Sequence, residues 1–285
     1  MSKGARAVDP RVAGCVQTIR GATVLAPRIG IVLGSGLGGV ADRIDAADGG
    51  SAFDTAALPH WPRSTVQGHA GKLVVGRWEG VPVAVLRGRT HVYEGYDLGT
   101  VTFAHRVMIA LGVDTLLVTN AVGTFNRQFA PGDLMLVRDH INGIGRAGLF
   151  TREELAAAPG VTRGAIGRRR PYAPELLDIV RGVARERGIR LREGVLLAGT
   201  GPAYETAAEI AMARAMGADA ACMSSAHEVD LAAALGLATA AVSCITNYGT
   251  GLSPTTLTHH EVEAVAGAAA GRLESLLAGT VARLG

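Results

Sequence analysis

Seven unbroken apolar runs divide this chain, and nearly every one is followed at once by a segment rich in glycine and polar residues. The runs are Arg28 to Leu33, Val81 to Leu86, Thr115 to Thr119, Asp133 to Val137, Val195 to Ala198, Ala218 to Met223 and Ala238 to Thr246. Continuous rather than alternating hydrophobicity reads as strands buried on both faces. Between them lie stretches of helical pattern: Leu98 to Leu111, Pro174 to Arg187, Glu205 to Met216, His227 to Leu235, and His260 to the C-terminus. Strands alternating with helices predict an α/β fold, with a mixed central β-sheet flanked by helices on both faces. Sites in such folds gather beyond the carboxyl ends of strands. GSGLGG, GRTHVYEGYD, NAVGTFN, GTGPAYET, SSAHEV and NYGTG all stand there, as for a site assembled from many loops.

With 285 residues, 48% of them hydrophobic and 19% charged, the chain can bury a proper core. The net charge is only +3, and the basic residues are scattered apart from the run Arg168 to Arg170, so no nucleic-acid partner is expected. No charged leader precedes an apolar stretch, and no uninterrupted apolar window reaches membrane-spanning length, which predicts a cytoplasmic protein without a membrane partner. Cys15, Cys222 and Cys244 fit neither a disulfide framework nor a zinc ribbon and read as buried free thiols. The stretch Gly143 to Arg170, rich in glycine, alanine and arginine, reads as a long mobile loop.

Gly34, Ser35, Gly36, Leu37, Gly38 and Gly39 follow the first run. Glycines let backbone amides close on an anion, and the Ser35 hydroxyl adds a donor. Gly34, Gly36 and Gly39 also satisfy the dinucleotide fingerprint G-x-G-x-x-G, which needs a second strand ending in an acid about 20 residues on. Ala41 to Asp54 is polar and shows no strand pattern, so a phosphate cradle is favoured over a dinucleotide site; a turn without ligand is the plain alternative. Arg89, His91, Tyr93 and Glu94 follow the second run. Arginine presents a fork for phosphate and histidine a donor or proton exchanger, and the spacing puts the first three on one face if the segment is extended; an ordinary polar loop explains the segment equally well taken alone.

Tyr204 and Glu205 stand at an expected loop-to-helix junction, where an acid would equally suit the helix dipole. Met223 and Ser224 close a strand, and Asn247 precedes a glycine-rich turn, positions that core packing or turn chemistry also explains. His259 and His260 open a helix and point about 100° apart, so they make no metal pair. No metal-ligand spacing occurs, and no metal is expected.

The order of these segments resembles that of the trimeric purine nucleoside phosphorylases, a family related to the methylthioadenosine phosphorylases. GSGLGG, STVQGHAGKLVVG, GRTHVYEGYD, VTNAVGTFN, GDLMLVRDHING, GPAYETAAE, GADAACMS, ITN and LTHHEV carry the likeness, from about Arg28 to Ala264. The resemblance implies a single domain over residues 1–285 with an N-terminal helical segment over 1–25, a homotrimer, and residues 143–170 as a mobile or subunit-contact loop. It implies phosphorolysis of inosine- or guanosine-type nucleosides with inorganic phosphate as co-substrate and no cofactor. Phosphate would be held by Ser35, Arg89, His91, Ala121 and Ser224; ribose by Tyr93, Met223, His259 and His69; the base by Tyr204, Glu205 and Asn247. His91, Glu205 and Asn247 would be the catalytic residues. The methylthioadenosine enzymes carry an aspartate where this chain has Asn247. Thr124 stands where the family has a second glycine and is expected to narrow the pocket. Three other readings fit parts of the sequence: an adenosine or methylthioadenosine phosphorylase, a nicotinamide-dependent dehydrogenase, and a nucleoside-binding protein without turnover.

Overall fold

The computed structural model describes residues 9–44, 46, 47, 49–66, 71–152, 154, 170–252 and 259–285. Nine strands form one mixed sheet among them: β1 Ile29–Leu33, β2 Ser51–Asp54, β3 Lys72–Trp78, β4 Val81–Arg87, β5 Thr115–Thr124, β6 Leu134–Asn142, β7 Leu191–Ala198, β8 Ala220–Cys222 and β9 Ala238–Tyr248. Their order is β2-β3-β4-β1-β5-β8-β7-β6-β9, and β9 also pairs with β5, so the last five close into a ring. β1, β4, β5 and β9 run parallel at the centre, whereas β2, β3 and β8 enter antiparallel pairings.

Every residue of β1 is buried, as its unbroken apolar pattern requires. The helices are α1 Pro10–Ala22, α2 Leu98–Val101, α3 Phe103–Leu111, α4 Pro174–Glu186, α5 Ala207–Ala215, α6 Ala226–Ala234 and α7 His259–Leu284. Asp9 caps α1 by accepting from the Arg11 amide at 2.8 Å, with Pro10 in the first turn where its missing N–H is harmless. α7 buries Val262, Ala266, Ala269, Leu273, Leu276 and Val281, a seam at helical spacing. Its small residues admit close neighbours: a Cβ added at Gly36 would lie 2.7 Å from that of Ala266.

The structure corrects the sequence reading in several places. β5 runs on to Thr124 and β9 to Tyr248, so NAVGT and the ITN asparagine lie in strands and not in the loops expected of them. Pairing between the two strands overrides the turn preference of asparagine and glycine. β2 and β3 were not anticipated, because β2 has four residues with alternating partial exposure and Gly76 and Arg77 interrupt β3. The helix expected over Leu98 to Leu111 is broken at Thr102, whose hydroxyl donates back to the Leu98 carbonyl and receives Arg106. The loop expected over 143–170 lies largely outside the described residues.

Leu136 of β6 is fully buried where that strand pairs with both β7 and β9. Leu136→Ala removes core volume from the ring that carries the site. We expect a loss of about 2–5 kcal/mol in urea unfolding; a loss below 1 kcal/mol, on the order of a surface change, would show the ring to be less tightly packed than it looks.

Candidate active site

A cavity of about 510 Å³ opens where β5, β8 and β9 end. Ser35, Arg89, His91, Tyr93, Ala121, Tyr204, Glu205, Met223, Ser224 and Asn247 all line it, drawn from segments far apart in sequence. His69 lies outside the described residues, as does the side chain of His259, whose backbone opens α7. Thr124 does not narrow the cavity: it is fully buried, and its hydroxyl donates to the Asp219 carbonyl at 2.9 Å. Among the described residues no group of three histidine, cysteine or acidic side chains is placed to share a metal ion.

Ser35 sits in a turn closed by the Leu37 amide on the Gly34 carbonyl at 3.1 Å. Gly34 admits no side chain, because a Cβ there would fall 2.8 Å from the Asn120 Cα, and Gly36 supplies a φ of +72°. A six-residue 3-10 segment, Gly38–Arg43, follows in place of the helix a dinucleotide site requires. Asp54 does end a strand, but β2 is the edge strand, separated from β1 by β3 and β4. The loop therefore cannot form the βαβ unit behind the dinucleotide fingerprint.

Arg89 is buried, and its two terminal nitrogens each donate to the Thr119 carbonyl at 3.0 Å while Nη2 also donates to the Ser224 hydroxyl at 2.9 Å. Ser224 is aimed by strain in the next residue. Ser225 has φ +69° and ψ −45°, and the Ala226 amide donates across it to the Ser224 carbonyl at 2.9 Å, a tight turn that α6 then continues. Asn120 holds the turn by donating to the Ser225 hydroxyl at 3.0 Å. A guanidinium, two hydroxyls and a helix N-terminus on one wall make a site suited to an oxyanion.

His91 and Tyr93 do not lie along an extended segment as expected, since Val92–Glu94 is a 3-10 turn. The turn stacks the two rings with centroids 4.7 Å apart and brings Glu94 back under His91. Glu94 accepts from the His91 amide at 2.6 Å and faces its Nδ1 at 3.3 Å, while its other oxygen takes the amide and hydroxyl of Thr65 and the Ser64 hydroxyl. Burial works against the Glu94 charge, but the His91 ring and the donors of Thr65 and His91 outweigh it and bring the carboxyl down to about 2. For His91, burial lowers the imidazole below its ordinary value against the pull of Glu94, with Arg89 adding to the lowering. The ring is therefore neutral near pH 7, and its Nδ1–H on Glu94 leaves Nε2 as an acceptor.

Glu205 is not the acid of the helix start. Thr206 caps α5 in a reciprocal box with Glu209, which leaves Glu205 half-buried and facing the cavity. Burial, chiefly, lifts its carboxyl above the ordinary value. Tyr204 beside it is about half exposed, at 49%. A Cβ added at Gly201 would stand 2.5 Å from the Met223 sulfur and 2.9 Å from the Tyr93 ring, so this glycine lets the two side chains meet.

Asn247 owes its place to a register shift. Val122 pairs with Ile245 and Gly123 with Asn247, so β9 carries one extra residue, Thr246, at a bulge. The Thr246 hydroxyl donates to Asn247 Oδ1 at 2.8 Å, and Nδ2 donates to the Tyr248 carbonyl at 3.0 Å. Among the described residues one N–H of the amide remains for a ligand. Gly123 makes room, because a Cβ there would be 2.8 Å from Nδ2. Sequence reasoning missed Thr246 and gave Glu94 no role of its own; neither carries a local signal. The three cysteines are buried and unpaired, and burial pushes the Cys222 thiol up to about 12, which removes it as a nucleophile.

Residues 28–282 match the family described as the phosphorylase superfamily. The chain is 47% identical over 241 residues to purine nucleoside phosphorylase 1 of Geobacillus stearothermophilus, covering 83% of this chain and 84% of that one. It is 42% identical over 241 residues to purine nucleoside phosphorylase 1 of Bacillus subtilis, with the same coverage. Among solved structures, the Schistosoma mansoni purine nucleoside phosphorylase in complex with adenosine superposes with a TM-score of 0.86 at 33% identity, over 99% of both chains.

The lowered Glu94 carboxyl adds stability that is complete above pH 4.5 and is lost as the pH falls toward about 2. Glu94→Gln is expected to have a lower urea midpoint than the parent above pH 4.5, and the two should converge as the pH approaches about 2. Curves that stay parallel throughout would mean that Glu94 is not held ionised by these contacts.

Proposed function

The chain belongs to the phosphorylase superfamily, and we propose from that premise that it cleaves purine nucleosides with inorganic phosphate, releasing the base and ribose 1-phosphate, with inosine and guanosine as its substrates. The observation that carries this reading is the convergence of an oxyanion wall and a Glu205–Asn247 pair on one cavity.

Phosphate on Ser35, Arg89, His91, Ser224 and the Ala121 amide would attack C1′ of the ribose. The C–N bond breaks as the C–O bond forms, and the electron pair leaves with the purine. As the sugar gains cationic character, the phosphate charge stabilises it. Neutral His91, with Nδ1 on Glu94, presents Nε2 to accept the hydrogen of a hydrogen phosphate. Met223 and Tyr93 flank the ribose, and His69 and His259 are assigned to it by the family resemblance alone. The free N–H of Asn247 meets charge developing at N7 or O6 of the departing base, a bond that strengthens toward the transition state. Tyr204 borders the base and Glu205 reads it. Inosine and guanosine carry a hydrogen on N1 for the carboxylate to accept, whereas adenosine offers a lone pair that it repels.

No organic cofactor or metal enters this chemistry. We infer further, from the family resemblance, a single domain over the whole chain working in the cytoplasm as a homotrimer, with 143–170 at or near the subunit contact. In light scattering the 29.3 kDa chain should have the mass of three copies, and a monomer or dimer would overturn that inference.

The function is tested by base release from inosine, guanosine, adenosine and methylthioadenosine, each with and without phosphate. Phosphate-dependent cleavage confined to the first two is expected. In Glu205→Ala the inosine-to-adenosine ratio of kcat/KM should fall by an order of magnitude or more, as for a site that loses a specificity hydrogen bond. Cleavage of the adenine nucleosides alone would keep the phosphorolysis and overturn the substrate.

A further inference from the structure

Behind the oxyanion wall lies a cluster of ionisable side chains that the chemistry above does not use. Glu228 of α6 is 0% exposed, and its Oε1 faces Arg89 Nε at 3.3 Å and His105 Nε2 of α3 at 3.6 Å. His227, next to it on α6, is buried as well. Among the described residues neither Glu228 oxygen has a hydrogen-bond partner of good geometry, and the same is true of the ring nitrogens of His105 and His227. An acid in the first turn of a helix ordinarily serves the helix dipole from the solvent side. Removed wholly from water, the charge is sustained chiefly by one partner: burial opposes it, and the Arg89 guanidinium outweighs the burial and holds the carboxyl below its ordinary value.

The guanidinium of Arg89 is thus fixed on three sides. Thr119 takes both terminal nitrogens, Ser224 takes Nη2, and Glu228 faces Nε. A planar fork recognises an oxyanion only when its plane is set. We propose that Glu228, steadied by His105, is a positioning residue that orients Arg89 for phosphate without touching phosphate itself. The inference rests on the reading of this cavity as a phosphorolytic site.

Two physical roles for a buried carboxylate behind an anion site predict opposite signs. If Glu228 merely offsets the charge of Arg89, removing its charge strengthens phosphate binding. If it orients Arg89, removing it weakens phosphate binding even though a negative charge has gone. The test is calorimetric titration of inorganic phosphate into the parent and into Glu228→Gln, alongside the steady-state KM for inosine. The expected result is a phosphate Kd raised about tenfold or more, the range of outer partners that orient a binding group, with the inosine KM within about twofold. An unchanged or tighter phosphate Kd overturns the proposal, and so does an equal loss of both ligands, which is what a general loosening of the fold produces.

Glu228→Asp covers the case in which the glutamine variant does not fold. It keeps the charge and withdraws the carboxylate by one methylene. Weaker phosphate binding upholds positioning, and unchanged binding overturns it. Parent protein that binds phosphate but releases no base from any nucleoside would sink the proposed function, while the Glu228 comparison would still be scored on phosphate binding alone.

Discussion

The parallel pairing of β5 with β9 is the constraint on which the site depends. Upstream of the shift at Gly123 the strands are in simple register, and there β5 supplies the Thr119 carbonyl that anchors Arg89, and Ala121 at the cavity wall. Downstream, the extra residue in β9 turns Asn247 inward against Gly123 and leaves Thr246 to orient it. The same two strands therefore position the proposed nucleophile end and the proposed leaving-group end. A bulge at this point separates the two tasks by a fixed backbone distance, which a loop could not hold as firmly.

The oxyanion wall is costly to build, and its cost shows in the structure. A buried guanidinium, a serine held at positive φ, and a fully buried glutamate are each unfavourable taken singly. Together they offset one another: Glu228 answers the charge of Arg89, and Asn120 ties the strained turn that aims Ser224. Local departures from the rules of stable folding concentrated at one place mark where function has been placed above stability.

Much of this was legible in the sequence. The apolar runs marked the central strands, and the glycine and polar segments after them marked the rim of the cavity, because both signals are local in the chain. The residues alone singled out Arg89 and Ser224 only as types; the family resemblance joined them in one phosphate site, and the structure shows them meeting across 135 residues. The strand character of NAVGT and Asn247 was hidden, because it arises from pairing between β5 and β9 and not from intrinsic preference. Glu94 and Thr246 were missed as orienting groups for the same reason: a 3-10 turn and a bulge decide them, and neither has a reliable signature. Glu228 was not singled out, since nothing local separates it from an ordinary first-turn acid, and only its complete burial against Arg89 sets it apart.

Glu205 shows how the two levels of reading combine. By sequence it could have been a helix-start acid, but the capping box of Thr206 and Glu209 already satisfies the first turn of α5. An acid that the helix does not need, half-buried and raised by that burial, costs stability unless a ligand meets it. The partner it calls for is a hydrogen-bond donor at the cavity, and N1–H of a 6-oxopurine is such a donor where N1 of adenine is not. In the proposed function, base selection and the placing of a partly desolvated carboxylate are then one arrangement: the half-burial that raises Glu205 also strengthens its contact with a donor on the ligand.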